Sequence, residues 1–224
     1  MRAFRLTDTI YTHVSLRVPG PGEAFLINPF GMLYEEVTAS NLVKIDVGGE
    51  ILDDPTGLGI NRAGFVIHGA IHAARPDVAC VLHTHSVAGI GVSAQADGLL
   101  PISQHAAVVL GTTGYHEFEG IAIDPDEQVR LVRDLGGNRI LILRNHGLLT
   151  AGRTAAEAIV LMLTLERACQ AQLAALAGGR PLTRVSDTAL AATTRMIGSF
   201  DGSYARDWAA LLRLADRVAP DYRD

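Results

Sequence analysis

Lysine is nearly missing from this 224-residue chain: of its 19 basic residues 18 are arginine, and Lys44 stands alone. Any mechanism built on a lysine Schiff base must therefore use Lys44 or be abandoned. Cysteine is also scarce. The two present, Cys80 and Cys169, form no CxxC pair, which excludes a disulfide framework and a thiol metal site and fits a reducing cytoplasm. No window holds 18 apolar residues without a charge or a Gly/His interruption, and the opening stretch MRAFRLTDTIYTH has no apolar signal region. Neither a membrane span nor a signal peptide is expected. Nor is there a Lys/Arg-rich run, and the net charge of −5 disfavours nucleic acid or an anionic membrane as partner.

What remains is 48% apolar and 19% charged, enough to bury a full core, and no repeat or linker divides it. One domain over residues 1–224 is expected. Residues 24–28 (AFLIN) and 42–47 (LVKIDV) read as strands joined by a turn near Thr38 and Ser40. Residues 62–75 carry apolar positions at helical spacing and stop at Pro76. Residues 78–82 read as a buried strand, 86–96 as a tightly packed helix, and 99–102 and 106–110 as strand-like runs. Asp124, Pro125 and Glu127 signal a helix to about Leu135 that Gly136 and Gly137 end. Residues 139–143 (RILIL) form a central strand, and Thr154 with Glu157 reads as a capping box opening a helix to about Ala177. Two weaker helical stretches fill a tail over residues 186–224, the second holding Trp208. Strands and helices alternate unevenly, so the fold is expected to be a mixed α/β or α+β sandwich, a sheet covered by helices.

Chemistry gathers on histidine. His83 and His85 end the 78–82 strand two residues apart, so both imidazoles can point to one side. His146 follows the second strongly apolar strand, with Gly147 giving close backbone access. Three imidazoles meeting from two strand ends make a metal site with an open coordination position. The plainer alternative is three polar residues at strand ends. His68 and His72, four apart on one helical face, are read as structural, and Asp124 and Glu127 as helix caps.

The stretch NRAGFVIHGAIHAARPDVACVLHTHS over residues 61–86, followed by ILILRNHGLLTAG over residues 140–152, closely resembles the class II aldolase and adducin head-domain family. The likeness extends through IYTHVSLR, FLINPFGMLY, VTASNLVKID and YHEFEGI, covering residues 10–177, although a further N-terminal helix usual in the family is missing. It implies an α/β/α sandwich around a mainly antiparallel sheet. It also implies a divalent metal, usually zinc with manganese, iron or cobalt as alternatives, held by His83, His85 and His146. It gives Lys44 no chemical role. Gly64 stands where the sugar-phosphate aldolases carry a catalytic glutamate, and Ala106 where another branch carries its own. Phe30 replaces a threonine of the phosphate pocket, Arg62 and Ala63 replace a serine pair, and His13 replaces an asparagine.

These departures turn the expectation from a phosphorylated ketose toward a small oxygenated, non-phosphorylated substrate. The expected reaction is a carbon–carbon lyase step, retro-aldol cleavage or decarboxylation, with Phe30, Gly31 and Arg62 binding substrate. Tyr115, His105 and His116 are the candidate proton donors or acceptors, and Glu117 is a further carboxylate near that segment. The resemblance leaves two other readings: a non-catalytic adducin-like interaction module, and an iron-dependent oxygenase on the same fold. It further implies a homo-oligomer, commonly a four-fold tetramer with the site at a subunit interface.

Overall fold

The computed structural model describes residues 1–20, 23–120, 125–199 and 204–224. One sheet of eight strands organises them: β1 (His13–Arg17), β2 (Ala24–Ile27), β3 (Val43–Asp46), β4 (Ile51–Asp53), β5 (Cys80–Thr84), β6 (Thr113–His116), β7 (Ile140–Leu143) and β8 (Gly147–Gly152), ordered β4-β3-β2-β1-β5-β8-β7-β6. Every neighbouring pair is antiparallel except β6 and β7. A parallel pair needs a crossover connection, and helix α4 (Pro125–Leu135) lies on it.

Helices cover both faces, giving the α/β/α sandwich expected. On one side α1 (Arg62–Ala74) and α4 bury Ile67, Ile71, Leu131 and Leu135 against Val81 of β5 and Leu149 of β8. On the other, α2 (Val87–Ser93), α3 (Gln104–Leu110) and α5 (Ala155–Ala177) enclose Cys80, Leu82 and Leu148. The period of two in β5 divides Cys80 and Leu82 from Val81 in this way and sends His83 to the α1 side. Burial pushes the thiols of Cys80 and Cys169 up to about 12, so both act as small apolar residues. Helix α5 is long and apolar enough by composition to cross a membrane, yet Leu161, Met162, Leu165 and Cys169 pack into this layer. The tail forms α6 (Asp187–Gly198) and α7 (Ala205–Val218), which pack on α3 and α5 respectively.

Local chemistry sets most boundaries. Asn61 accepts from the Ala63 N–H and caps α1, which ends two residues before Pro76. Thr38 and Asn41 form a capping box on the turn between β2 and β3. Thr154 accepts from the Glu157 N–H, but the Glu157 carboxylate accepts from the N–H of Arg153 rather than that of Thr154, so only half of the expected box forms. The Asp124 cap lies outside the described residues.

Three expectations need correction. Residues 106–110 belong to helix α3, because Ser103 caps it by accepting from the Ala106 N–H, and residues 99–102 form no strand. The strand near His83 runs over Cys80–Thr84, so His83 stands within it. Residues 147–152, which carry no predicted element, are themselves β8.

Candidate metal centre

Strand β5 carries His83 to its end with His85 one residue beyond, and the short turn from β7 to β8 brings His146 back beside them. Asn145 makes that reversal in the left-handed region at φ +55°, a conformation asparagine tolerates. Gly147 is needed for the close approach of β8, since a Cβ there would stand 2.3 Å from the Thr84 carbonyl oxygen. The three Nε2 atoms converge, with His85 Nε2 2.8 Å from that of His83 and 3.0 Å from that of His146.

The outer nitrogens explain which way the rings face. His83 Nδ1–H donates to the Leu148 carbonyl at 3.0 Å, and His85 Nδ1–H donates to the Asp8 carboxylate at 3.0 Å. Each bond places the hydrogen on Nδ1 and leaves Nε2 as a free lone pair, the arrangement that orients metal-bound imidazoles. Burial, and then the neighbouring imidazoles, hold His83 well below the ordinary histidine value; burial lowers His146 to about 4. Clustered Nε2 atoms from three imidazoles fit one divalent cation with an open side. That side faces a cavity of 340 Å³ lined by the three imidazoles together with Asp8, Tyr11, His13, Phe30, Asn61, Ala63, Ile67, Phe118 and Gly120.

Of the other residues read as substrate-binding, Phe30 lines this cavity. Gly31, at φ +108° in the turn after it, and Arg62, exposed on the first turn of α1, do not. None of Tyr115, His105 and His116 lines it either. The Tyr115 hydroxyl accepts from the Leu99 N–H at 3.0 Å while the Arg144 guanidinium covers its ring at 4.4 Å. His105 is exposed on α3. His116 is buried behind the cavity, donating from Nδ1 to Asp134 at 2.8 Å with Glu127 3.5 Å from Nε2. Glu127, read as a cap, therefore faces a buried imidazole, and the exposed Glu117 lies 3.9 Å from Arg144.

Asp8 escaped the sequence reading, and His13 entered it only as the replacement of an asparagine, with no place beside the three imidazoles. Asp8 sits 77 positions before His85 in an unremarkable N-terminal stretch, and only the backbone of Thr9, strained at φ +45°, marks its neighbourhood. His13 faces His83 directly across the β1–β5 ladder, a register that no local pattern announces.

Comparison with known proteins identifies the fold and the family. The Class II Aldolase and Adducin N-terminal domain family matches residues 1–173. The solved structure of an aldolase II superfamily protein from Pseudomonas syringae superposes with a TM-score of 0.95 at 55% identity, covering 100% of this chain and 90% of that one. An L-fuculose 1-phosphate aldolase from Glaciozyma antarctica superposes at 0.86 with 28% identity, over 98% and 85% of the two chains. Alpha-adducin of Rattus norvegicus is 47% identical over 176 residues, which are 78% of this chain and 24% of that protein. The chain belongs to the class II aldolase and adducin N-terminal domain family.

Proposed function

We propose that this chain is a divalent-metal-dependent carbon–carbon lyase acting on a small, oxygenated, non-phosphorylated substrate by retro-aldol cleavage or decarboxylation. The observation that carries this reading is the convergence of three histidine Nε2 atoms on one wall of a substrate-sized cavity. When bound, the cation, zinc in the first place or manganese, iron or cobalt, supplies Lewis-acid polarisation of a substrate oxygen. His83, His85 and His146 would hold it, while Asp8 and the Leu148 carbonyl fix the rings of His85 and His83. Phe30, Phe118 and Tyr11 supply the apolar walls that limit water.

No lysine or arginine is among the described residues that line the cavity. Apart from the cation itself, a phosphate dianion would find no cationic side chain there, which favours a substrate unlike that named for the fuculose-phosphate aldolase. Of Tyr115, His105 and His116 only His105 is exposed, so proton transfer by this group requires a second copy of the chain to bring its His105 to the cavity, with Tyr115 and His116 acting from behind their own strand. We therefore join it to a homotetramer of the whole chain, residues 1–224, acting in the cytoplasm. A monomer in sedimentation would remove His105 from the reaction.

The likeness to alpha-adducin favours one rival, an interaction module without turnover. Elemental analysis of purified protein separates the two. The lyase reading expects about one divalent ion per chain, its loss in His83→Ala and His146→Ala, and cleavage of a hydroxy-ketone or hydroxy-keto acid that disappears with it. Wild-type protein without metal, or a His83→Ala variant that keeps its activity, would overturn it.

A further inference from the structure

Aromatic residues make up only 5% of this chain, yet Tyr11, Phe30 and Phe118 all stand in the wall of the metal cavity. Strand order explains the gathering. The start of β1 and the ends of β2, β5, β7 and β6 share one end of the sheet, because His13 pairs with His83, Ser15 with Ile27, Thr84 with Leu148, Leu143 with Gly147 and His116 with Leu143. Phe30 follows β2 by three residues, Tyr11 precedes β1 by two, and Phe118 follows β6 by two. Across that end, the order β2-β1-β5-β8-β7-β6 therefore becomes Phe30, Tyr11, the three imidazoles and Phe118. The imidazoles lie between an aromatic pair on one flank and a single ring on the other.

The two flanks differ. Tyr11 and Phe30 have ring centroids 6.2 Å apart with planes inclined at 58°, a spacing at which aromatic rings attract one another and offer a third ring both a face and an edge. Phe118 stands edge-on to His146, centroids 6.4 Å apart, so its neighbour is one of the three imidazoles rather than a second apolar ring. Tyr11 is 50% exposed and Phe30 is half-buried, which leaves ring surface for an apolar group to cover. Histidines aside, the only ionisable acid or base among the described lining is Asp8 with the Tyr11 phenol, and the Asp8 carboxylate is already engaged by His85. A strongly hydrated substrate group gains nothing from such a wall.

We propose that the substrate carries an aromatic ring, seated against Tyr11 and Phe30 while its oxygen reaches the cation. This deepens the lyase reading and rests on it for the cation, but contact between a ring and this flank is measurable without any metal. A saturated alkyl group and a second copy of the chain are the rival occupants, and each gives a different result.

In the metal-free full chain with carbon-13 in its tyrosine and phenylalanine rings, millimolar benzamide should shift the signals of Tyr11 and Phe30, and acetamide should not. With cobalt bound and followed by its visible spectrum, benzohydroxamate should bind about tenfold tighter than acetohydroxamate and about threefold tighter than cyclohexanecarbohydroxamate, since all three share one metal-binding head. Tyr11→Ala and Phe30→Ala should each cut the tenfold ratio to about threefold or less. Val129→Ala, on the exposed face of α4 and outside the cavity, should leave the ratio unchanged. Absence of benzamide shifts, an affinity for benzohydroxamate no greater than for either comparison compound, or a ratio that falls only in Phe118→Ala would overturn the proposal. Tyr11 signals that move on dilution but not with benzamide would give this flank to a second copy and overturn it too. Failure to bind cobalt would overturn the lyase reading alone, and the benzamide shifts would still decide whether the flank takes a ring.

Discussion

At the scale of single residues, two glycines decide how closely the site can be assembled. Gly64 yields its side-chain volume to the His13 ring, and Gly147 lets β8 approach β5. The second contact is with backbone, which cannot rotate away as a side chain can. Gly147→Ala should therefore lower stability by about 1–3 kcal/mol in denaturant unfolding, as over-packed substitutions do. Gly137, where an added Cβ would meet nothing within 4 Å, is the control. Gly137→Ala should stay within about 0.5 kcal/mol of the parent. If the two variants unfold alike, close packing at Gly147 does not constrain the site.

At the scale of elements, helix starts show how one hydroxyl can serve one role or two. Ser103 accepts from the Ala106 N–H and does nothing more for α3 than start it cleanly. Ser86 accepts from the Gly89 N–H to cap α2 and also donates to the buried Glu166 carboxylate of α5, whose other oxygen accepts from Gln170. Removing Ser103 costs a cap; removing Ser86 also strips a donor from a buried charge. Ser103→Ala should cost about 1 kcal/mol and Ser86→Ala about 2–3 kcal/mol in the same unfolding measurement. Equal losses would show that Glu166 does not depend on Ser86. The same caps explain the misread segment over residues 106–110: five small apolar residues suit a strand or a helix equally, and the serine before them settles it.

For the whole molecule, buried imidazoles tie stability to pH. Burial lowers His72 and His146 to about 4, and holds His13, His68 and His83 well below their ordinary value. Below pH 6.5 the unfolded chain takes up protons that the folded chain refuses, so the stability present above pH 6.5 is lost as pH falls toward 4. His72 and His146 together set a steep slope, each worth up to about 3 kcal/mol across that window. Metal-free protein should show this loss in unfolding at pH 7, 5.5 and 4.5. His72→Phe, whose ring can stack on Phe25 as the imidazole does, should show a shallower one. A flat profile would mean that these histidines titrate in the fold as they do in water.

Much of the fold and the centre of the site could be read locally. Caps, glycine stops and apolar runs located α1, α4, α5 and the core strands, because each signal acts within a turn or two of backbone. The HTH and NHGL segments named three imidazoles for the same reason: period two and a strand end are local properties. The places of Asp8 and His13, and the contacts of His68 and His72 with Ser15, were not legible, since they meet only through strand register and helix packing across 53 to 77 positions of chain. Tertiary structure likewise withdrew Tyr115, His105 and His116 from the cavity, each for a separate reason: a hydroxyl taken by Leu99, a helix facing solvent, a ring enclosed by carboxylates. By itself the sequence determined which side chains are able to bind a cation, for that is written in residue type. Only the folded chain decided which of them share one cavity and which way their lone pairs point, because distance and tautomer belong to contacts between remote segments.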